Sequence, residues 1–241
     1  MLACEPFLSC LVAREDLFME LYEVMRTTFA AREFTDAPLP DSTLFKILEN
    51  ARFAPSGGNR QGWYVIIVRD HATREALAAF TTPAAKRYVA QQQAGESPWN
   101  SVNSTHVDEA TVARTPVPAR LIEPVLRAAV VLVICVDLQV VASTDQYLDR
   151  VGVISGASIY PFAWNILLAA RHEGFGGTLT TLAVAQEPGI QALLGLPAHV
   201  AVCAVMPLGK PSTRLSRLRR KAVPAFAMHE RWGGTALTHD Q

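Results

Sequence analysis

The sequence predicts a single domain of the α/β or α+β class. Apolar runs of strand length alternate along the chain with stretches of helical spacing. Half of the 241 residues are hydrophobic and only 18% are charged, against about 25% in an average soluble domain. This composition excludes a disordered chain and favours a sizeable core. The low charge density also indicates that a partner subunit covers part of the surface.

The first half of the chain is predicted to hold three helices and one strand. In order, the pattern predicts a helix over 16–31, a helix capped by Asp41 or Ser42, a loop at 56–62, a buried strand over 63–70 and a helix over 71–92. The second helix must end before Pro55, because the residue that precedes a proline disfavours helical backbone. The loop, SGGNRQG, is assigned from its small polar residues and its two adjacent glycines.

The second half continues the alternation. Its apolar pattern predicts a buried strand over 128–137, a long buried helix over 149–172, a third strand over 173–182, a short helix over 186–196 and a fourth strand over 199–209. Pro161 is expected to kink the long helix or to end a first segment of it.

Three segments lie outside this regular pattern. Residues 1–15 are predicted to be an N-terminal extension, and residues 16–241 a single domain with a C-terminal arm at 210–241. Residues 95–118 are rich in Ser, Thr, Asn, Pro and Val without a period. Because a structureless stretch of this length is usually functional or disordered, we expect an active-site lid or an excursion that embraces a dimer partner.

Charge and cysteine content exclude several classes of function. The 22 basic and 22 acidic side chains balance, which argues against a general nucleic-acid binder. The four cysteines form no CxxC pair and no zinc spacing with histidine, so no metal site and a reducing cytoplasm are expected. No apolar stretch approaches the roughly 20 residues of a membrane helix, so no membrane partner is expected.

The common catalytic motifs are missing. The sequence has no P-loop, no GxGxxG between a strand and a helix, no GxSxG and no HExxH. Its six histidines are scattered singly. No protein side chain is therefore predicted to be catalytic, and an enzyme built on this chain would rely on a bound cofactor.

Three segments carry groups suited to a planar anionic ligand. Arg26 and Arg32 offer guanidinium groups that match phosphate oxygens, although two solvated arginines would fit the pattern too. In residues 54–63, hydroxyl and amide side chains suit a ring edge with donors and acceptors, although an ordinary loop is the plain alternative. In the tail, six basic residues fall within 210–221. These could be a solvated charge run or an RNA-binding patch, but no aromatic residue lies between them.

The order of these segments resembles the nitroreductase family of FMN-dependent oxidoreductases. The resemblance rests on R-T-T-x-A-x-R-x-F at 26–34, on A-P-S-G-G-N-x-Q-x-W at 54–63 and on N-x-L-L-A-A-R-x-E-G-x-G-G-T at 165–178. P-L-G-K-P at 207–211 and R-R-K-x-V at 219–223 agree with it. It spans about residues 18–232.

The resemblance implies a fold and a cofactor site. The fold is an α+β, three-layer α-β-α sandwich around a mixed or antiparallel central sheet. Two copies form an intertwined homodimer with two FMN molecules in the interface. The implied phosphate ligands are Arg32, with Arg26 or Thr28 beside it, and the tail residues Arg219, Arg220 and Lys221. The partner chain contributes Pro55, Ser56, Gly57 and Asn59, and backbone N–H groups of Gly176 and Gly177 approach the flavin ring. Gln61 is a further candidate to bind the cofactor.

The implied function is a ping-pong reaction. NADPH or NADH delivers a hydride to the flavin, and a nitroaromatic or quinone-like acceptor then takes it. Trp99, Asn103 and His106 are the candidates to line the acceptor site. The alternatives are another reaction on the same fold, such as dehalogenation or flavin fragmentation, and a non-catalytic protein that binds or sequesters FMN.

Two positions depart from the family pattern. The phosphate segment of the family reads R-R/H-S-x-R/K-x-F, and this chain has Thr28 and Ala30 where the first arginine and the serine stand. Arg26, two residues earlier, is the candidate to compensate. The usual Q-P-W is here Gln61-Gly62-Trp63.

Overall fold

The computed structural model describes residues 19–215 and 217–239, so the predicted extension at 1–15 lies outside the described residues. The described helices are α1 (Leu21–Thr27), α2 (Asp41–Ala51), α3 (His71–Gln93), α4 (Glu109–Arg114), α5 (Glu123–Arg127), α6 (Tyr160–His172) and α7 (Glu187–Leu194). The described strands are β1 (Trp63–Val68), β2 (Val130–Asp137), β3 (Gly176–Gly177) and β4 (Val200–Gly209).

The four strands form one antiparallel sheet in the order β1-β2-β4-β3. Alternate side chains of β2 point to opposite faces, as a strand requires. Leu132 and Ile134 pack with α2 and α6, whereas Val131 and Val133 pack with α3, α5 and α7. The predicted three-layer α+β sandwich is confirmed, and its sheet is antiparallel.

A β-bulge in β4 changes which face its residues occupy. Ile134 of β2 lies opposite Ala204, but the next residue of β2, Cys135, lies opposite Val202, so Cys203 is the extra residue. In a regular strand, residues two apart face the same side of the sheet. Here Ala204 packs in the layer of α6, whereas Val202 packs in the layer of α7. A slip of one residue reverses the facing of a strand, and the bulge makes that slip in mid-strand.

Three helix predictions need correction. The first helix ends at Thr27 rather than at residue 31, because the backbone becomes extended at Thr28. The helix predicted over 149–172 covers only Tyr160–His172, with Pro161 in its first turn, where a missing N–H is tolerated. Asp41 is the first residue of α2, not its cap, and its side chain accepts a hydrogen bond from Arg69 instead.

The strand predictions are confirmed in position, but β1 is less buried than expected. Tyr64 and Ile67 are about half exposed, whereas β2 is buried along its length. The reason is position, since β1 is an edge strand and β2 lies between two neighbours. The third strand is only two residues long, although Thr180 makes a further bridge to Val205 of β4.

The segment at 95–118 is folded onto α3. It contains α4, and the backbone oxygen of Ala113 accepts a hydrogen bond of 2.7 Å from Lys86 Nζ of α3. The indole nitrogen of Trp99 donates to the backbone oxygen of Ala84, also on α3. Among the described residues, no helix is long and apolar enough to cross a membrane.

Candidate functional site

Two of the predicted site segments meet beside β3. Ala31 donates its backbone N–H to the oxygen of Gly177 at 2.9 Å, and Ala30 bridges Gly177 in parallel. Two residues after Arg32, Phe34 bridges Pro211 at the start of the tail. The structure therefore brings together the Arg32 segment, the two glycines and the beginning of the C-terminal arm.

A cavity of about 210 Å³ opens on one side of this junction. Arg32 and Arg120 both line it, together with Tyr88 and the segment 178–182, which contributes three threonines. Neither arginine forms a salt bridge in the described part of the chain, and no carboxylate lines the cavity. The cavity offers two positive charges and several hydroxyl groups to a ligand.

A second pair of arginines lies on the other side of the junction. Arg171, in the last turn of α6, and Arg214, in the tail, line a small recess with Thr28 and both glycines of β3. Arg171 Nε donates to the hydroxyl of Thr27, and Arg214 donates to the backbone oxygen of Gly174. Burial lowers the pKa of the Arg171 guanidinium, and the nearby charge of Arg214 lowers it further.

The glycines of β3 are required by packing. A Cβ on Gly177 would lie 2.4 Å from both the Leu208 side chain and the Pro207 backbone oxygen of β4, and a Cβ on Gly176 would meet Pro211. Both glycines are buried. The close approach of backbone to backbone keeps the Arg32 segment, β3 and β4 together, and whether their N–H groups also meet a flavin stays a prediction.

We call this part of the molecule the arginine end, defined by Thr28, Arg32, Arg120, Arg171 and Arg214 around β3. Arg26 does not line either cavity. Its guanidinium lies over the ring of Tyr22, 5.7 Å from the ring centre, on the exposed face of α1.

Thr28 and the basic residues of the tail differ in exposure. Thr28 is buried and donates its hydroxyl to the backbone oxygen of Val24. Arg219, Arg220 and Lys221 are exposed on an irregular stretch, with no carboxylate partner in the described part of the chain. Their role toward a cofactor stays a prediction.

The other predicted segment, residues 55–62, forms what we call the loop end. Gly58, Asn59 and Gln61 all have φ between 51° and 61°, the left-handed region that costs Asn and Gln free energy. The loop holds this shape with its own hydrogen bonds. Ser56 Oγ accepts from the backbone N–H of Gln61, and Asn59 Oδ1 accepts from Gln61 Nε2 at 3.0 Å. Strained backbone of this kind is concentrated at binding sites.

Local packing explains why this chain has Gly62 where the family pattern has proline. A Cβ at this position would lie 2.6 Å from the side chain of Val140 and 3.2 Å from that of Val141. The backbone oxygen of Gly62 also accepts the N–H of Asp137, at the end of β2. Glycine lets the segment after β2 pack directly on the loop.

The loop end and the arginine end lie at opposite ends of the sheet. Gly62 is bonded to Asp137, the last residue of β2, whereas Gly177 pairs with Leu208, which lies opposite Val130, the first residue of β2. Seven residues of strand span about 23 Å. One copy of the chain therefore does not bring the two ends to the same place.

The three residues predicted to line the acceptor site differ in position. Trp99 lines a second cavity of about 480 Å³ that shares Tyr88, Thr181 and Leu182 with the arginine cavity. Asn103 and His106 are exposed and line none of the described cavities.

Sequence reasoning did not single out Arg171 or Arg120 as site residues. Arg171 directly follows the last apolar residue of the predicted long helix, so its pattern predicts only a helix end. The available signal was its position, since A-A-R-x-E-G at 169–174 directly precedes the glycines of β3.

Comparison with known proteins agrees with this fold. The sequence profile described as the nitroreductase family matches residues 25–210. The chain belongs to the nitroreductase family, as the sequence motifs indicated. Family and relatives support an oxidoreductase.

Individual proteins resemble this chain in sequence or in fold. A protein of Thermus thermophilus named NADH dehydrogenase is 31% identical over 75% of this chain and 82% of its own. The structure of an iodotyrosine deiodinase bound to FMN and 3-iodo-L-tyrosine has a TM-score of 0.64 at 17% identity, covering 88% of this chain and all of that one. A BluB-like flavoprotein from Clostridium difficile has a TM-score of 0.66 at 18% identity, with the same coverage.

Proposed function

We propose that this protein is an FMN-dependent oxidoreductase that takes electrons from NADH or NADPH and passes them to an aromatic acceptor. The observation that carries the proposal is the arginine end, where four guanidinium groups surround β3 without an ion-paired carboxylate in the described chain. A ligand with a phosphate and an electron-accepting ring supplies the missing negative charge. FMN, when bound, supplies hydride chemistry that no side chain here offers.

The residues fit that cofactor. The cavity of Arg32 and Arg120 is walled by Leu121, Pro124 and Leu182 on its apolar side, as a planar ring requires. Positive charge beside the ring favours its reduced, anionic form. The threonines at 178–181 offer hydroxyl groups to polar ring atoms.

We propose further that each site is completed by a second copy of the chain. The loop end carries the neutral hydrogen-bonding groups of Ser56, Asn59 and Gln61 but lies about 23 Å along the sheet from Gly177, so the partner's loop end has to supply them. The apolar surface supports association. Phe45 of α2 and Phe53, two residues after its end, are about 70% exposed, and Trp164 of α6 is 43% exposed. Exposed apolar groups at this density are typical of an interface.

The acceptor is proposed to bind in the cavity of about 480 Å³ beside the arginine cavity. Its wall combines Trp99 and Tyr88 with Pro98 and Val184, which suits an aromatic ring. The folded excursion at 95–118 supplies Trp99 and Pro98 and so would act as one wall of the acceptor site.

A second candidate reaction is reductive dehalogenation of an aromatic halide. It is favoured by the similarity of this fold to the deiodinase that binds 3-iodo-L-tyrosine. In that reaction the aromatic carbon gains a hydrogen and the halogen leaves as halide, with two electrons supplied by the reduced cofactor. Nitroaromatic and quinone reduction need the same two electrons but release no halide.

The test is an anaerobic titration of the purified protein, reconstituted with FMN, while the visible absorbance of the flavin is followed. We expect NADPH or NADH to bleach the flavin and a nitroaromatic or quinone to restore its colour. Halide release from an iodophenol by the reduced protein would select dehalogenation instead. A flavin that binds but is not bleached by either nucleotide would indicate a non-catalytic FMN-binding protein, and failure to bind FMN would overturn the proposal.

A further inference from the structure

We infer that the aromatic acceptor carries a negatively charged group, such as a carboxylate, and that Arg120 binds it. This inference rests on the proposed flavin-dependent function and deepens it, because it names the class of acceptor as an aromatic acid. Arg120 is then the residue that selects a charged acceptor over a neutral one.

The guanidinium group of Arg120 has no partner among the described residues. It lines the cavity of about 210 Å³ but forms neither a salt bridge nor a hydrogen bond with any of them. Arg32, which lines the same cavity, instead donates to the backbone oxygen of Ala30 at 3.3 Å. The N–H donors of Arg120 are therefore all available to a ligand.

The two arginines reach this cavity from different walls. Arg32 belongs to the extended segment that is bonded to Gly177, so it lies on the side of β3. Arg120 belongs to the turn at 119–121, between the excursion at 95–118 and α5. A single cation beside the proposed ring of FMN balances the negative charge of its reduced form. Arg32 meets that need, so Arg120 is a second cation that the ring does not require.

The proposed acceptor cavity adjoins this one on the side of α3. Tyr88 of α3, Thr181 and Leu182 line both cavities. Trp99 of the excursion lines the acceptor cavity, and the same excursion leads directly into the turn that carries Arg120. An aromatic ring beside Trp99 can therefore extend a substituent past Tyr88 toward Arg120.

The charges of the two cavities favour an anionic substituent. Of the described residues that line the acceptor cavity, none is charged, and no described carboxylate lines either cavity. A guanidinium group binds a carboxylate through two parallel hydrogen bonds, which are stronger than those between neutral groups. A cationic substituent would instead meet two arginines. An aromatic ring with a carboxylate matches both the apolar wall and the unpaired guanidinium group.

The test measures how three ligands of nearly equal shape bind to the oxidised, FMN-loaded protein. Benzoate, benzamide and benzamidine carry a negative charge, no charge and a positive charge at neutral pH. We expect wild type to bind benzoate about tenfold more tightly than benzamide, and benzamidine most weakly. The change in flavin absorbance on titration gives each Kd. Reoxidation of the reduced protein should follow the same order, with 4-nitrobenzoate faster than 4-nitrobenzamide below saturation.

Two variants of Arg120 and one control isolate the effect of its charge. Arg120→Gln should abolish the preference for benzoate over benzamide. Arg120→Glu should reverse the order in favour of benzamidine, a gain of binding that a misfolded protein does not show. Arg127→Gln is the matched control, because Arg127 is an exposed arginine of α5 that lines none of the described cavities, and it should keep the wild-type order.

The outcomes separate this inference from the proposed function. Equal binding of the three ligands by wild type, a preference that persists in Arg120→Gln, or its loss in Arg127→Gln overturns the role of Arg120. Weaker FMN binding by Arg120→Gln with an unchanged preference at saturating FMN also overturns it, since Arg120 would then serve the cofactor. All of these results leave the proposed function intact if NADH or NADPH bleaches the flavin. Wild-type protein that does not bind FMN, or whose flavin neither nucleotide bleaches, overturns both proposals.

Discussion

The loop end and the arginine end meet the demands of a ligand in opposite ways. Most polar groups of the loop end are neutral and make their hydrogen bonds inside the loop, as Gln61 does with Ser56 and with Asn59. In the described part of the chain, the arginine end carries charges without an ion-paired carboxylate, and Arg171 has a buried nitrogen without a hydrogen-bond partner. The loop end is shaped by its own hydrogen bonds, whereas the arginine end leaves polar groups available.

This difference indicates how the free energy of binding is divided. Groups already satisfied within the loop gain little from a ligand, so they mainly select its shape. Uncompensated guanidinium groups gain much, so they supply affinity. We therefore expect the arginine end to be the part that FMN stabilises most, and the experiments below are designed to break or sharpen this contrast.

The largest expected effect comes from mixing two defective chains. One chain carries Ser56→Ala and Asn59→Gly at the loop end, and the other carries Arg32→Gln at the arginine end. We expect each homodimer to bind FMN poorly but the mixed dimer to regain one tight site for two chains, because one loop end and one arginine end remain intact and face each other. Differently tagged chains and flavin absorbance measure the stoichiometry.

Homodimers of wild type and of Arg26→Gln are the controls for that experiment, with two sites expected in each. A mixed dimer without any tight site would mean that each chain builds its site alone, contrary to the shared arrangement.

A smaller effect is expected from one added methyl group at each end. Gly177→Ala places a Cβ at 2.4 Å from the backbone oxygen of Pro207, so we expect the free energy of unfolding to fall by about 2–3 kcal/mol. Gly57→Ala meets only the Ser158 hydroxyl at 3.5 Å, an ordinary contact, and should cost less than about 1 kcal/mol. Urea denaturation of both variants checks the difference, and equal losses would contradict it.

The excursion at 95–118 should loosen when Glu96 loses its charge. The Glu96 carboxylate accepts hydrogen bonds of 2.6 Å from the Thr105 hydroxyl and from the His106 backbone N–H, and these bonds lower its pKa. Because the folded pKa lies below the unfolded value of about 4.3, the stabilisation is present at neutral pH and is lost as pH falls through the folded pKa.

Hydrogen exchange of residues 97–107 measures that loss. Wild type should be better protected than Glu96→Gln at pH 7, and the two should converge in acid. Glu75→Gln, on the exposed side of α3, is the matched control and should behave like wild type. A difference between wild type and Glu96→Gln that persists unchanged at pH 3 would contradict the assignment.

The smallest effect concerns two thiols in the sheet. Burial raises the pKa of Cys135 to about 11 and that of Cys203 to about 12. At pH 8 about one thiol in a thousand, or fewer, is ionised and reactive. In a Cys4→Ser/Cys10→Ser variant we expect no labelling by a thiol reagent until urea unfolds the chain. Rapid labelling of native protein would show that the sheet opens readily.

Much of the fold could be predicted from sequence because its signals are local. Apolar runs predict β2 and β4, and helical patterns predict α2 and α3, in each case from residues within that element alone. The helix predicted over 149–172 was too long, because an apolar pattern does not show where a chain leaves the helix. At Pro161 the physical cue for a helix start was present, but it was interpreted as a kink or as the end of a first segment.

From the sequence, the candidate site could be predicted only as separate segments of the chain, not as an arrangement in space. The motifs around Arg32 and Asn59 identified segments, but sequence order could not show that they lie at opposite ends of the sheet. Arg171 and Arg120 come from a helix and from the residues before α5, and only packing places them beside β3. A guanidinium nitrogen without a hydrogen-bond partner is a property of three-dimensional surroundings, which no spacing rule contains.

The bulge at Cys203 has a consequence for how this strand can change by insertion and deletion. Loss of Cys203 would place Val202 directly beside Ala204, so the two would lie opposite Cys135 and Ile134 in an unbroken ladder and keep the helices that they now contact. Loss of a residue from a regular part of the strand would instead turn the residues beyond it to the other face of the sheet. The bulge is therefore a place where the strand can be shortened in evolution without exchanging its two interiors.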